Sequence, residues 1–222
     1  MARNPDLSRS AIVDRALELA DAEGLDAVSF RRLAQEFGVT PMALYWHLKN
    51  KDELLDAMGD RLFDELDYAT AEDSGWTDQL RAVVAALITA LRAHPACLEL
   101  AYRRILACPN GMAIAEHTLG LLRAQGFDAT QTTQIANHAL QTAVMLVMAE
   151  PGAETGTPPD EVEAALTAKR AALQALPADQ YPLLSELGAN LIECSDVPGY
   201  YGFNIDLFVG GVRAMRDTVA AG

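Results

Sequence analysis

Residues 27–51, AVSFRRLAQEFGVTPMALYWHLKNK, decide the fold that this sequence predicts. Ser29 precedes a short helical pattern over residues 30–37 and is its expected N-cap. Gly38 then provides the permissive backbone that is needed just past a helix C-terminus. The helix has one apolar face, which is formed by Leu33, Ala34 and Phe37. The segment therefore opens with a capped helix that ends at a tight turn.

A second helical pattern follows this turn at residues 41–47. Thr40 is its expected N-cap, and Pro41 suits the first helical position because the N–H that proline lacks has no helical partner there. Leu44 and Leu48 lie four residues apart, so they can pack inward together. Two short helices joined by a glycine turn predict a helix-turn-helix, whose second helix enters the major groove of DNA.

The outer face of the second helix carries side chains that suit DNA recognition. Recognition helices use their N-terminal residues on base edges, which predicts that Met42 and Ala43 meet bases. Tyr45 and His47 lie further along and are predicted to reach phosphates. For Trp46 two interpretations stand: it packs on a neighbouring helix, or it points outward.

Four cationic side chains lie near the ends of the two helices, where they can bracket a duplex backbone. Arg31 and Arg32 begin the first helix, and Lys49 and Lys51 follow the second. The complete set of predicted DNA contacts is Ser29, Arg31, Arg32, Thr40, Pro41, Met42, Ala43, Tyr45, Trp46, His47, Lys49 and Lys51.

Charge is distributed unevenly along the chain. The formal net charge of −14 at pH 7 argues against nucleic acid if it is taken as a whole. Residues 1–51 contain seven Lys or Arg and seven Asp or Glu, which sum to zero, whereas residues 52–222 contain ten and twenty-four, which gives −14. A neutral segment with clustered cations can still bind phosphate. Arg3 and Arg9, at a predicted flexible arm over 1–7, either add contacts or belong to a disordered tail.

Composition and motifs exclude several classes of protein. No run of about 18 apolar residues predicts a membrane span, and the N-terminus lacks the apolar core of a signal peptide, so a cytoplasmic location is predicted. The three cysteines lack metal-site spacing, which favours buried thiols over a redox sensor; they are Cys97, Cys108 and Cys194. No metal signature, phosphate loop or nucleophile motif is present, so neither an enzyme nor a cofactor is predicted.

The run LYWHLKNK at 44–51, followed by LLDA at 54–57, resembles the DNA-binding domain of TetR-family transcriptional regulators, and of the tetracycline repressor subgroup in particular. The effector domain of that subgroup is resembled at Trp76, Asp78, Leu80, Arg81, Gly126 and Phe127. The resemblance implies a homodimer that binds a double-stranded DNA operator and a small-molecule effector. It also implies dimerisation through a four-helix bundle made by helices 8 and 10 of each chain.

The hydrophobic pattern is helical throughout, which predicts an all-α fold. Residues 1–51 form the predicted helix-turn-helix DNA-binding domain, and residues 68–222 form a larger effector-binding and dimerisation domain. Helix 4, at 51–66, connects them and is the expected lever between effector and DNA. The other predicted helices are 8–23, 78–93, 95–106, 112–125, 128–148, 161–175, 183–192 and 201–220. Helices 8 and 10 of the resembled family correspond to 128–148 and 201–220.

The resemblance weakens at the effector site. Two histidines that hold the drug and its magnesium ion in tetracycline repressors correspond to Asp67 and Leu100, and a drug-contacting asparagine corresponds to Val83. A magnesium–tetracycline effector is therefore not expected, and an apolar or aromatic molecule is predicted instead. Candidate ligand contacts are Tyr102, Met112, His117, Asn137, His138, Gln141 and Met145. An ordinary surface or core role is the alternative for the histidines and methionines among them.

These observations predict a repressor that a small molecule releases from a palindromic operator. Pro41, Met42 and Ala43 replace a more polar set in the resembled subgroup, so the operator should differ, and the two apolar side chains after Pro41 suit thymine methyl groups. Two alternatives remain open at this point. One is a helical small-molecule-binding or catalytic module with a vestigial DNA-binding domain, and the other is a corepressor-dependent regulator or an activator.

Overall fold

The computed structural model describes residues 7–64, 66–70, 74–150, 159–192 and 196–220. Within these ranges the secondary structure is helical, with no strand, which confirms the all-α prediction. The helices are α1 Arg9–Glu23, α2 Phe30–Glu36, α3 Pro41–Tyr45, α4 Lys51–Arg61, α5 Trp76–Ala93, α6 Leu98–Arg104, α7 Pro109–Ala124, α8 Ala129–Met148, α9 Pro159–Gln174, α10 Pro182–Ile192 and α11 Val197–Ala220. Helix 10 of the resembled family is therefore α11 here. Arg3 and Cys194 lie outside the described residues.

The first three helices pack around one small core. Ser8 caps α1 through its side chain, which accepts a hydrogen bond from the Ala11 N–H at 3.1 Å. Gly38 has a φ of +63°, which confirms the tight turn predicted between α2 and α3. The buried side chains of this core include Ile12, Ala16, Leu19, Ala20, Leu33, Ala34, Leu44 and Leu48. The helix-turn-helix is thus fixed by apolar contacts on the inner faces of all three helices.

Helix α4 begins where predicted but ends early, at Arg61 rather than at residue 66. Its N-cap is Asn50, whose side chain accepts from the Glu53 N–H at 2.7 Å. Beyond Arg61 the backbone hydrogen bonds join residues three apart, as in a turn. The Phe63 N–H, for example, donates to the Asp60 carbonyl at 3.0 Å. The chain turns here because Phe63 enters the core, where its side chain is buried.

Helices α4 and α6 pack closely and join the N-terminal helices to the rest of the chain. Gly59 faces α6, where a Cβ atom would lie 3.1 Å from that of Leu100. The Arg104 guanidinium donates to Asp60 at 2.6 Å and lies 3.3 Å from Asp56. On the other side, Asp21 of α1 lies 2.7 Å from the His94 ring. The N-terminal helices are therefore tied to the body by two charged contacts.

Helix α5 is the centre of the larger part, where it contacts α7, α8 and α11. It begins at Trp76 with Gly75 as N-cap, two residues before the predicted start at residue 78. Helix α7 also begins earlier than predicted, because Pro109 occupies its first turn instead of a preceding loop. Asp128 caps α8 in a complete capping box with Gln131.

The last helix is fastened to α5 and to the end of α8 by a polar cluster. The Arg92 guanidinium donates twice to Glu150, at 2.9 and 3.1 Å. The Tyr201 hydroxyl donates to the same carboxylate at 2.6 Å, and Arg92 also lies 4.9 Å above the Tyr201 ring. These contacts fix the rotation of α11 against its neighbours.

Helices α9 and α10 form a hairpin that contacts mainly itself. Gly188 of α10 lies against Leu173 of α9, where a Cβ atom would come 3.2 Å from a leucine methyl group. The outer side of α10 leaves several large apolar side chains exposed, namely Tyr181, Leu183, Leu184, Leu187 and Leu191. No single helix in the described ranges is long and apolar enough to cross a membrane, and α5 qualifies by length and composition only together with Pro95–Arg104, across a 103° bend.

Cys97 and Cys108 are buried free thiols. Burial raises the pKa of Cys97 to about 12, with a smaller contribution from the nearby carboxylate of Asp21. A thiol that stays protonated is a poor nucleophile and a poor metal ligand. These two cysteines therefore act as small apolar core residues.

We predict that Gly111→Ala destabilises the protein, because the added Cβ would lie 2.8 Å from the Cα of Ile105 and closer still to its carbonyl. The expected loss is about 1–3 kcal/mol, the usual cost of overpacking. Gly120→Ala is the matched control, since Gly120 lies in the same helix with open space around it. That variant should be more stable by about 0.4–1 kcal/mol. Equal changes in the denaturation midpoints of the two variants would contradict the close approach at Gly111.

We also predict that Arg104→Met loosens the joint between α4 and α6 by leaving Asp56 and Asp60 without their shared cation. The loss of a hydrogen bond is worth about 0.5–1.5 kcal/mol, so amide hydrogen exchange in α4 should accelerate about two- to tenfold relative to α8. Arg103→Met is the control, because Arg103 lies 3.8 Å from Asp56 and is largely exposed. Equal exchange rates in both variants would show that Arg104 does not hold α4.

Candidate DNA-binding surface and effector cavity

The recognition helix α3 has only five residues, so it depends on its neighbours for orientation. Leu44 and Leu48 are fully buried beneath it. The Tyr45 ring stacks on Phe30 of α2, with ring centroids 4.4 Å apart and planes 7° apart. Thr40 occupies the N-cap position, but its side chain makes no capping hydrogen bond. The stack and the two leucines therefore hold the helix from two sides.

The outward face of α3 is large and apolar. Trp46 is 86% exposed and Met42 is 67% exposed. Tyr45 keeps about half of its surface open despite the stack, and Pro41 is exposed while Ala43 is partly buried. Of the two interpretations of Trp46, the structure supports the outward one. A bulky apolar rim on an otherwise short helix is unusual on a free surface.

The predicted cations differ in how far they are engaged. Arg31, Lys49 and Lys51 are exposed, and within the described part of the chain no carboxylate lies within salt-bridge distance of them. Arg32 is engaged, with a guanidinium nitrogen 2.6 Å from Glu23 and 3.2 Å from Glu36. Sequence alone counted these four side chains as equivalent. Three of these side chains are open to an anion, whereas the fourth, Arg32, already contacts two carboxylates.

Two further residues predicted to contact DNA make hydrogen bonds within the protein. The Ser29 hydroxyl accepts a hydrogen bond from the Arg32 N–H at 3.2 Å, so it serves as the N-cap of α2. His47 is partly buried, and its carbonyl accepts from the Arg9 guanidinium at 3.1 Å. Arg9 is thus held within the fold instead of extending from a flexible arm.

A network of polar contacts holds the turn between α3 and α4. One oxygen of Glu53 accepts from Arg9 at 2.6 Å, and the other accepts from the Lys49 backbone N–H at 2.8 Å. The Lys49 N–H and the Arg9 guanidinium both favour the charged carboxylate, and they lower the pKa of Glu53. The turn that presents Lys49 and Lys51 is therefore built around this one carboxylate.

A cavity of about 280 Å³ lies among α5, α7, α8 and the segment after α6. Its walls are almost entirely apolar, and the residues that form them are Val83, Leu87, Ile105, Leu106, Ile114, Ala115, Thr118, Leu119, Thr133, Ala136, Asn137, Ala139 and Leu140. The Thr118 hydroxyl donates to the Ile114 carbonyl at 2.7 Å, and Thr133 donates to Ala129 at 3.0 Å. Asn137 makes no hydrogen bond to the described residues, so its amide is the free polar group of this cavity.

The predicted ligand contacts do not converge on one site. Asn137 lines both the cavity and an open groove between α8 and α11, whereas His138 and Gln141 line only the groove. The ring of His117 packs against Tyr68 at a tilt of 44°, with centroids 5.0 Å apart, and its buried Nε2 has no hydrogen-bond partner among the described residues. The other three are exposed residues that line neither the cavity nor the groove, namely Tyr102, Met112 and Met145.

Sequence analysis missed most of the cavity wall. Its members are apolar residues at ordinary helical spacing, and nothing in the sequence separates a cavity wall from a packed core. Asn137 was the exception as a predicted ligand contact, and Val83 was noted because it replaces a polar ligand contact of the resembled subgroup. Only the packing of four helical segments reveals which apolar faces leave a space between them.

The groove between α8 and α11 has a volume of about 710 Å³ and an apolar floor. Phe203 and Leu207 of α11 are 69% and 66% exposed beside it. The Phe208 ring lies 5.7 Å from the His138 ring across the groove. Gly211 is exposed, with no atom within 4 Å of the position that a Cβ would take. Together these residues leave a long apolar face without a partner in a single chain. Among the described residues, no group of three or more His, Cys, Asp or Glu is arranged to hold a metal ion.

Comparison with known proteins agrees with this geometry. Residues 12–58 match the family of bacterial regulatory proteins called the tetR family, and residues 69–216 match the tetracyclin repressor-like C-terminal domain. An HTH-type transcriptional regulator from Saccharopolyspora erythraea is 37% identical over 123 residues, which cover 55% of this chain and 52% of that protein. The chain thus spans about half the length of this curated relative.

Two further proteins give the same result. The class D tetracycline repressor protein of Escherichia coli is 42% identical over 77 residues, which cover 34% of this chain and 35% of that protein. The crystal structure of the Streptomyces coelicolor TetR family protein ActR in complex with actinorhodin has a TM-score of 0.75 at 28% identity, with 95% of this chain and 98% of that chain covered. These relatives are described as regulators and repressors, not as enzymes. Because the two family descriptions together account for most of its length, this chain belongs to the TetR family of bacterial regulatory proteins.

Proposed function

We propose that this protein is a homodimeric transcriptional regulator that binds a palindromic DNA operator and is released from it by a small apolar effector. The observation that carries the proposal is the pairing of two features in one chain. The recognition helix presents an apolar rim beside three open cations, and a largely apolar cavity lies in the other domain. In this proposal residues 1–51 bind DNA, and residues 68–222 bind the effector and dimerise. Residues 51–66 connect these two domains.

The DNA contacts divide by chemistry. Met42 and Ala43 meet base edges, where apolar side chains suit thymine methyl groups. Arg31, Lys49 and Lys51 contact phosphates, because each is exposed and has no carboxylate partner among the described residues. Tyr45 and Trp46 flank them, and Pro41, Thr40 and His47 line the same face. Ser29 and Arg32 are assigned an indirect part, since both are engaged in holding α2.

The class of effector is inferred from the volume of the cavity and from the polar groups in its wall. A volume of about 280 Å³ is near the lower end of ligand sites, which start at about 300 Å³. An apolar wall penalises an unpaired charge strongly. Asn137 supplies one amide donor or acceptor, which suits an uncharged aromatic molecule with a single polar substituent. Asp67, Leu100 and Val83 replace the polar contacts that a magnesium–tetracycline complex would need.

The coupling runs through α6. Ile105 and Leu106 line the cavity and directly follow Arg104, which holds α4 through Asp60. An effector that pushes on this wall shifts Arg104 and therefore α4, whose first turn adjoins the DNA-facing lysines. The effector must bind the two arrangements with different affinities for this to release DNA. A corepressor would use the same parts with the opposite preference.

The dimer forms through α8 and α11. Both helices expose apolar side chains along the groove, and obligate dimer interfaces resemble a domain core cut in half. Gly211 leaves room for a second helix to approach closely. A twofold dimer of this kind would place two recognition helices about 34–36 Å apart, one turn of DNA.

We predict that Lys51→Ala weakens binding to a duplex that the wild-type protein selects, while the dimer stays folded. Each protomer loses one phosphate contact, so the slope of log affinity against log salt concentration should fall by about 0.9 per contact, or about 1.8 for the dimer. Lys169→Ala removes the same charge from α9, far from α3, and should leave the slope unchanged. A wild-type slope in the Lys51→Ala variant would remove this lysine from the interface.

We further predict that Ala115→Trp fills the cavity and blocks ligand uptake, because its indole would occupy the space that a ligand needs. Uptake is measured with the uncharged dye phenyl-naphthylamine, whose fluorescence rises in apolar surroundings. Ala113→Trp is the control, because Ala113 lies two residues away on α7 and is exposed. Undiminished dye binding in the Ala115→Trp variant would place the effector site elsewhere.

A further inference from the structure

A carboxylate occupies an unexpected position at the edge of the DNA-binding surface. Glu53 lies in the first turn of α4, close to Lys49 and Lys51 along the chain. A negative charge beside phosphate-binding lysines weakens attraction to DNA. Its presence there calls for a compensating role, and its contacts indicate which one.

Glu53 uses both of its oxygens to hold the chain where it leaves α3. One oxygen accepts from the Arg9 guanidinium at 2.6 Å, and the other accepts from the Lys49 N–H at 2.8 Å. Its own N–H donates to the Asn50 side chain at 2.7 Å. A capping box would direct the carboxylate to the N-cap residue itself. Here it reaches one residue further back, into the turn.

Arg9 completes the arrangement from α1. The same guanidinium nitrogen that contacts Glu53 also donates to the His47 carbonyl at 3.1 Å. The start of α1, the end of the recognition helix and the start of α4 are therefore joined at one point. The recognition helix ends at Tyr45, only two residues earlier, so this joint controls its direction.

We propose that Glu53 and Arg9 are positioning residues for operator recognition. They hold the exit of the recognition helix so that Met42 and Ala43 meet base edges in a single orientation. Neither side chain contacts DNA in this assignment. The inference rests on the proposed function, because it assumes that α3 binds an operator.

The test compares Glu53→Gln with Asp52→Asn. Both remove one negative charge from the first turn of α4, but Asp52 is exposed and makes no hydrogen bond or ion pair to the described residues. A Gln side chain replaces one of the two acceptor oxygens by an NH2 group, which would face the Arg9 guanidinium or the Lys49 N–H as a second donor. If only the loss of a negative charge mattered, both variants would bind DNA more tightly than the wild-type protein. Positioning predicts that Glu53→Gln binds the selected operator about tenfold more weakly, the cost of one hydrogen bond to a charged group.

The measured quantity is the ratio of operator affinity to the affinity for a scrambled duplex. This ratio should fall about tenfold in Glu53→Gln, by the same estimate, and stay at the wild-type value in Asp52→Asn. Equal behaviour of the two folded variants would overturn the inference. If wild-type protein selects no duplex, the proposed function itself fails, which is a separate outcome.

Arg9→Gln gives an independent test from the other side of the joint, and it decides the matter if Glu53→Gln does not fold. If Arg9 acts by positioning, the ratio of operator affinity to scrambled-duplex affinity should fall. The dependence of DNA affinity on salt concentration should stay unchanged. If Arg9 instead contacts a phosphate in each protomer, the salt slope of the dimer should be lower by about 1.8. Circular dichroism of each variant checks that the helices are retained.

Discussion

The structure depends on the position of α4, because this helix packs on two sides at once. Its first turn is joined to α1 and to the recognition helix through Glu53, and its second half lies against α6 at Gly59. A side chain at Gly59 would collide with Leu100 and Arg104, so close packing here requires glycine. A displacement at α6 is therefore passed to α4 as a rigid body, because close-packed helices do not compress.

Electrostatics and packing divide the remaining tasks. Two acidic residues near the recognition helix are paired with arginines, since Glu36 engages Arg32 and Glu53 engages Arg9. This leaves Lys49, Lys51 and Arg31 to face solvent, so a segment with no net charge still presents a cationic surface. The same segment exposes Trp46 and Met42, whose burial against DNA would recover apolar surface that a free protein leaves in water.

Much of the DNA-binding part could be predicted from the sequence because its signals are local. Caps such as Ser29 and Asn50, and the turn at Gly38, act within a few residues, and each was found where expected. The outward position of Trp46 was left open because exposure depends on neighbours from distant segments. Arg9 and Arg32 were treated as free cations, since their carboxylate partners lie 44 and nine residues away.

The larger part was harder for the same physical reason. The apolar residues that line the cavity have the same spacing as those that pack in the core, and Ile114 of α7 belongs to both sets. The premature end of α4 was missed because Leu62 and Leu66 continue its apolar stripe, while the burial of Phe63 turns the chain away. Helix starts were off by a few residues where a proline or an aromatic residue lies inside the first turn, as at Pro109 and Trp76.

The central claim is that two identical recognition helices, held at a fixed separation by the α8 and α11 interface, bind one face of a DNA duplex. Selection of bound sequences from a random duplex library by the purified, ligand-free protein tests it most directly. The account predicts enrichment of a palindrome whose half-sites lie about 10–10.5 base pairs apart, centre to centre. Enrichment of no sequence, or of an asymmetric one, by a folded dimer at low salt would contradict it.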